Sequence, residues 1–219
     1  MSIKIRNDRH LRSLTGVTQE QFNILLETFT LIFEMLRQRS YQEGLSAGTR
    51  RRCPGGGRKG ALPFMRNKLL FVLYYFKLYP TFDVLGTQFE MSRSKANENL
   101  HGLCPVLYEV LVHLKVMPHR EFETPDELMK VLNGIDTILI DVTEKIIAVR
   151  KIIPYNVNIT AVKKRHTVKN TVMSTLDKTI FFLGGTFSGH THDYTMLKEE
   201  FPPGKAWFKF LQVLADLGY

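Results

Sequence analysis

The chain contains little cysteine and no long apolar run, and both absences exclude classes of protein. Cys53 and Cys104 are the only cysteines among 219 residues, which is too few for a disulfide scaffold and lacks the paired spacing of a zinc site. No run of about eighteen uncharged apolar residues occurs, so no membrane span is predicted. The first residues also lack the apolar segment of a signal peptide. A globular protein of a reducing compartment is the class that remains.

Acidic residues are also few relative to basic ones. Lys and Arg number 30 against 21 Asp and Glu, which gives a formal net charge of +9. Such an excess favours a polyanionic partner, although a basic protein without one is an alternative. The basic residues form two clusters, over 50–59 and over 163–169. The candidates for contact with a polyanion in these clusters are Arg51, Arg52, Arg58, Lys59, Lys163, Lys164, Arg165, His166 and Lys169.

Helical periodicity dominates the first half of the chain. Thr18 and Gln21 have the spacing of a capping box, and apolar residues follow them at helical intervals. A glycine-rich, basic segment over 49–62 interrupts the pattern and is predicted to be a linker. An apolar helix is predicted at 64–78. Further along, a threonine, a proline and an acid at 124–127 predict another helix start.

A short helix, a tight turn and a polar second helix are predicted over residues 81–101. Thr81 is expected to cap the short helix and Ser92 the second helix. This succession is typical of a helix-turn-helix. Arg, Lys and Asn side chains pair with base edges or phosphates, so the candidate DNA-binding residues here are Ser92, Arg93, Ser94, Lys95 and Asn97. An ordinary helical bundle with a solvated polar face is the alternative that the sequence leaves open.

Beyond Gly134 the pattern changes from helices to strands. Strands are predicted at 135–142, 146–152, 167–174, 179–183 and 211–215, with a turn at 176–178 and a helix at 192–200. The fold class is therefore α+β, with an N-terminal helical domain followed by a mixed α/β sheet. The predicted domains are an N-terminal helical segment (1–48), a linker (49–62), a helix-turn-helix domain (63–120) and a sheet domain (134–219).

Two of the predicted strands end in an aspartate. Asp141 follows an apolar strand, and Asp216 follows the last strand of the chain. Carboxylate oxygens are the ligands that hard divalent cations prefer, so the two residues are a candidate metal site. Asp216 could instead be a plain turn residue. Asp141 follows an apolar strand, and burying an unpaired charge there would be energetically costly, so a structural role alone is harder to argue for it. A zinc pair of His190 and His192 is a weaker alternative, because no cysteine accompanies it.

Four motifs in order resemble the DDE superfamily transposases of small bacterial insertion sequences. They lie at 141–144, 163–170, 189–193 and 214–219, and the segment 55–97 is similar to the helix-turn-helix that precedes the nuclease core in that family. The resemblance implies an RNase H-like fold for the sheet domain, Mg²⁺ or Mn²⁺ as cofactor, and cleavage and joining of DNA ends. Asp141 and Asp216 would then be the first and second catalytic, metal-binding carboxylates. The basic residues named above would contact the DNA.

The resemblance also implies a partner and a place in the cell. Double-stranded DNA carrying terminal inverted repeats would be the partner, a homodimer is allowed, no membrane is involved, and the protein would act in the cytoplasm at the nucleoid. The third acidic residue of the family, expected on a helix beyond the last strand, is absent from the sequence. We therefore expect the N-terminal portion of a transposase, which binds DNA but cleaves it poorly alone. The alternatives are a non-enzymatic DNA-binding protein that represses transposition and an RNase H-like nuclease unrelated to transposition.

Overall fold

The protein is described by a computed structural model that covers residues 3–53, 55, 60–146 and 167–216. Over these residues it has seven helices and a five-stranded sheet. The chain divides into two compact units, Met1–Val116 and Met117–Tyr219, which we call the helical unit and the sheet unit. No helix among the described residues is long and apolar enough to cross a membrane.

The helical unit is built from five helices around one core. They are α1 (Asp8–Thr15), α2 (Gln19–Ser46), α3 (Met65–Leu78), α4 (Phe82–Gln88) and α5 (Arg93–His113). Leu11 of α1, Phe22 and Phe29 of α2, and Phe71 of α3 are fully buried in the same cluster as Ala96 of α5. The N-terminal helical segment and the helix-turn-helix segment of the sequence analysis therefore share a hydrophobic core.

The helix starts are set by the capping residues of the sequence. Thr18 Oγ1 accepts a hydrogen bond from the Gln21 N–H at 3.2 Å, and Gln21 Oε1 accepts one from the Thr18 N–H at 2.9 Å. These reciprocal bonds confirm the predicted capping box. Helix α1 is short and mostly polar, so it has no apolar periodicity from which it could be predicted. Asn7 caps its start, and Gly16, with φ of +82°, ends it.

The sheet unit contains two helices and five strands. They are α6 (Pro125–Leu132), β1 (Thr137–Ile146), β2 (Thr167–Thr175), β3 (Ile180–Leu183), β4 (Phe187–Ser188), α7 (Asp193–Glu200) and β5 (Gln212–Ala215). The strand order is β3-β2-β1-β5, and β4 pairs with β2. β1 is antiparallel to β2 and parallel to β5, so the predicted mixed sheet is confirmed. Most of the strand predicted at 146–152 lies outside the described residues.

Strand alternation gives the sheet two different faces. Ile138 and Ile140 of β1 and Met173 of β2 are buried against Leu128 of α6 and Phe182 of β3. We call this the core face of the sheet. Because side chains alternate along a strand, the odd-numbered residues of β1 point to the opposite face.

Glu200, the last residue of α7, carries a half-buried carboxylate. Its Oε1 atom accepts a hydrogen bond from the Gly185 N–H at 2.6 Å. The buried hydroxyl of Thr171 and the charges of Arg120 and Glu199 also act on this carboxylate. Burial raises the pKa of Glu200 above its ordinary value of 4.5, and the negative charge of Glu199 adds to this shift. The hydrogen bonds from Thr171 and Gly185 and the positive charge of Arg120 oppose it. The contribution of the protonated Glu200 carboxyl to folding stability is fully present at pH values below the ordinary pKa. It is lost as the pH rises through the raised pKa of the folded protein.

Glu200→Gln is therefore expected to make the sheet unit more stable than wild type at neutral pH. The amide keeps an acceptor for the Gly185 N–H but is never charged, so its burial carries no ionic desolvation cost. Below the ordinary pKa of Glu200 the advantage should disappear. Thermal unfolding at a series of pH values measures this, with Glu144→Gln as the matched control, because Glu144 is an exposed carboxylate of β1 that does not act on the pKa of Glu200. An equal advantage of Glu200→Gln at acidic and neutral pH would contradict the assignment.

Candidate nucleic-acid interface and acidic pair

A turn of four residues joins α4 to α5, and it lies very close to α4. The Met91 N–H donates a hydrogen bond to Gly86 O at 2.9 Å, and a Cβ atom placed on Gly86 would lie only 2.6 Å from Met91 O. Glu90 in the turn has φ of +54°, in the left-handed region. The turn is predicted from the sequence, but the need for glycine in the preceding helix is not, because composition does not reveal how closely two segments pack.

Aromatic packing fixes the turn against α3. The ring of Phe89 is buried and meets the rings of Phe71 and Tyr74 edge-on, with centroid distances of 4.9 and 5.5 Å. On α5, Ala96 and Leu100 are buried in the same core. The rotation of α5 about its axis is therefore set, and with it the identity of the residues that face solvent.

The N-terminal half of α5 presents polar side chains to solvent. Ser94, Glu98 and His101 are exposed at spacings of four and three residues, and Asn97 is partly exposed beside them. Residues with these spacings share one face of a helix. Ser92 Oγ accepts a hydrogen bond from an N–H of the first turn at 3.3 Å, so it caps the helix as predicted. The predicted recognition residues thus lie at the start of an exposed helical face.

Both predicted cations of α5 have an acidic neighbour. Arg93 Nε lies 3.9 Å from Asp83 Oδ2, and Lys95 Nζ lies 2.6 Å from Glu98 Oε2. All four side chains are well exposed, and ion pairs of this kind contribute roughly 0–1 kcal/mol. Either cation can therefore exchange its carboxylate for a phosphate at little cost.

The other predicted polyanion contacts are described only in part. Arg51 and Arg52 are exposed. Arg58, Lys59, Lys163, Lys164, Arg165 and His166 lie outside the described residues. Their contact with DNA stays a prediction.

Lys169 lies on β2 and is engaged within the sheet unit. Its Nζ atom is 2.8 Å from Asp193 Oδ1 and donates to Thr191 O at 3.3 Å, and the side chain is only 17% exposed. These contacts hold the start of α7 against β2. A DNA contact by Lys169 would require the ion pair to open, and the sequence alone gave no sign of this pairing.

The parallel pairing of β1 and β5 places the two candidate carboxylates beside each other. Ile140 is aligned with Ala215, and Asp141 and Asp216 are the residues that follow. Neighbouring strands lie about 4.8 Å apart, and aligned residues of parallel strands point to the same side. Both aspartates are exposed, and the alternation of side chains along β1 places Asp141 on the face opposite the core face. A cation shared by the two carboxylates, like their catalytic role, stays a prediction.

Other acidic and histidine side chains near this edge have different positions. Glu144 is aligned with Lys169 and, three residues from Asp141, points to the other side of β1. His192 Nδ1 accepts a hydrogen bond from the Tyr194 N–H at 3.3 Å and so caps α7. In the part of the chain that the structure describes, no group of three or more His, Cys, Asp or Glu side chains is placed to hold a metal ion.

Part of the helical unit is similar to a known family. Residues 62–114, which contain α3, α4 and α5, match the family described as helix-turn-helix of DDE superfamily endonuclease. No curated protein matches the chain. The crystal structure of the Mos1 mariner paired end complex with Mn is similar at 10% identity, over 90% of this chain and 77% of that chain, with a TM-score of 0.21. A TM-score this low does not indicate a shared fold.

Proposed function

We propose that this chain is a DNA-binding protein related to the DDE superfamily transposases. The observation that carries the proposal is the coincidence of the family match over 62–114 with α3, α4 and α5. In a helix-turn-helix the second helix enters the major groove with its N-terminal residues. In this chain those residues are the exposed Arg93, Ser94 and Lys95, with Asn97 on the next turn.

The groups on this face suit two kinds of contact. Asn97 has an amide, which can pair with the N6 and N7 positions of adenine through two hydrogen bonds. Arg93 and Lys95 can contact phosphates after exchanging their carboxylate neighbours, or pair with guanine O6 and N7. We assign base reading to Asn97 and mainly positioning to Lys95, because the flexible ammonium binds as a point charge.

Selection from a randomised duplex pool tests the proposal, since the target sequence is unknown. Wild-type protein should enrich a defined sequence, and Asn97→Ala should lose about 1–3 kcal/mol of discrimination at one base pair. Asn23→Ala, which removes an exposed asparagine of α2, is the matched control and should leave the enriched sequence unchanged. Failure of the wild-type protein to enrich any sequence, or an unaltered preference in Asn97→Ala, would refute base reading by α5.

The finer proposal is that the sheet unit is an RNase H-like nuclease domain that uses Mg²⁺ or Mn²⁺. The strand order β3-β2-β1-β5 with β1 parallel to β5 supports it, as do the adjacent positions of Asp141 and Asp216. The two carboxylates would hold the cation, and further ligands would come from DNA phosphate or from protein outside the described residues. When bound, the cation would supply Lewis-acid charge to phosphoryl transfer, with water or a 3′-hydroxyl as nucleophile.

A nicking assay on the duplex enriched by selection distinguishes a nuclease from a protein that only binds DNA. Mg²⁺-dependent nicking that requires both aspartates would support the nuclease function. The assay is repeated with a segment of a complete transposase, supplied in trans, whose helix carries the third acidic residue. Sequence-specific binding without nicking under both conditions would instead support the non-enzymatic, repressing role. Preference for an RNA–DNA hybrid would favour a nuclease unrelated to transposition.

A further inference from the structure

A second basic surface of the helical unit lies around α1, the first helix of the chain. Two adjoining depressions are lined by Arg6, Arg9, Arg12 and Lys77, together with the carboxylate of Asp8 and neighbours that are uncharged or weakly charged. The four cationic side chains are exposed. We call these four residues the α1 basic patch. The clusters singled out from the sequence do not include it, because Lys77 is far from the other three along the chain.

The packing of α1 against α3 brings these four cations close together. Leu11 is fully buried, which fixes the rotation of α1 so that Arg9 and Arg12, three residues apart, share its outer side. Lys77 comes from the last turn of α3, and its Cδ atom would lie 3.5 Å from a Cβ placed on Gly16. Gly16 ends α1, so the chain reversal there brings the aliphatic stem of Lys77 against the arginine-bearing helix.

Most of the positive charge of the patch is left without a nearby carboxylate. Among the described residues none of the four cations has an ion-pair partner, whereas Arg37 and Arg39 of α2 are paired with Glu34 and Glu43 at 2.8 and 2.9 Å. The carboxylate that lines the same depressions belongs to Asp8, which accepts a hydrogen bond from the Gln19 N–H. Four cations and one carboxylate leave a local charge of +3.

We infer that the α1 basic patch binds the phosphate backbone of the DNA that α5 reads. The inference rests on the proposed function, because a duplex held by α5 would supply the phosphates. Arginines are suited to this task, since the guanidinium fork binds phosphate oxygens with two parallel hydrogen bonds. Contacts of this kind position the protein and add affinity without reading sequence. Each phosphate neutralised releases condensed counterions, so the contacts are visible in the salt dependence of binding.

The test compares two double variants on the duplex enriched by selection and on a scrambled duplex. Arg9→Gln with Arg12→Gln removes two charges of the patch, and Arg37→Gln with Arg39→Gln removes two paired arginines as the matched control. The slope of log K against log salt should fall by roughly 0.9 for each lost contact, so by about 1.8 for the patch variant. The ratio of affinities for the two duplexes should stay as in wild type. The control should change neither quantity.

The outcomes separate this inference from the proposed function. If the patch variant has the same slope of log K against log salt as wild type, the patch does not bind DNA phosphates. If Asn97→Ala still loses discrimination between base pairs, the proposed role of α5 is unaffected by that result. Absence of DNA binding by the wild-type protein would overturn both. The wild-type protein and the patch variant are also tested for binding to phosphatidylserine vesicles. If only the wild type binds them, and the salt slope on DNA is the same for both proteins, the patch binds an anionic membrane and the inference is overturned. Circular dichroism of each variant establishes that α1 is still folded.

Discussion

Gly86→Ala is expected to destabilise the helical unit, although the same change in an ordinary helix would stabilise it. Alanine is favoured over glycine by about 1 kcal/mol in a helix interior. At Gly86, however, the new Cβ atom would lie 2.6 Å from Met91 O and 3.3 Å from the carbonyl carbon of Ser92. These are backbone atoms, so the turn itself must move, and overpacking of this kind costs roughly 1–3 kcal/mol.

Thermal unfolding measures this sign reversal. For a domain of this size each kcal/mol shifts the melting temperature by about 4–8 °C, so Gly86→Ala should melt several degrees below wild type. Gly102→Ala is the matched control, because Gly102 lies in α5 and a Cβ atom there would meet nothing within 4 Å. That variant should melt above wild type. A rise in both variants would show that α4 and the turn are not in the close contact described.

The consequence for DNA binding follows from the position of the turn. Ser92 caps α5 and Arg93 is its first residue, and backbone atoms of both lie against Gly86. A displacement of the turn therefore moves the N-terminal end of α5, where the predicted recognition residues lie. Base readout depends on hydrogen-bond geometry, so Gly86→Ala should weaken specific binding more than binding to a scrambled duplex, even at temperatures where the protein is folded.

Local chemistry was enough to predict several elements of the fold. Thr18, Thr81, Ser92 and Thr124 each accept the capping hydrogen bond that their positions in the sequence indicate. A cap acts within one turn of helix, so its signal is contained in a few adjacent residues. The hairpin turn between β2 and β3 was predicted for the same reason, and Lys178 there adopts φ of +71°.

Contacts between distant residues were not predictable in the same way. The pairing of Lys169 with Asp193, the grouping of Lys77 with the arginines of α1, and the close approach at Gly86 all depend on how elements pack. Each involves a distance that no composition or periodicity encodes. The neighbouring positions of Asp141 and Asp216 are an intermediate case. Each strand end was readable from the sequence, but only the parallel register of β1 with β5 brings the two ends together.

Replacing Asp141 or Asp216 with asparagine is expected to have opposite effects with and without a divalent cation. The two carboxylates follow aligned residues of adjacent strands. Neighbouring strands lie about 4.8 Å apart, and two like charges at a distance of that order near a protein surface repel by about 1 kcal/mol or more. Without metal, each asparagine variant should therefore be slightly more stable than wild type. With metal, wild type should be the more stable protein, because a cation that binds only the folded state stabilises it by mass action.

Thermal unfolding of the chain with Mg²⁺, with Mn²⁺ and with a chelator tests this crossover. At a cation concentration of about one hundred times the dissociation constant, the folded wild-type protein should gain roughly 2.7 kcal/mol, and both asparagine variants should lose most of that gain. Glu144→Gln is the matched control, because Glu144 is an exposed carboxylate on the same strand but the other face. It should keep the full response to metal. An equal response in wild type and in the double asparagine variant would place the cation elsewhere and remove the chemical basis of the nuclease proposal.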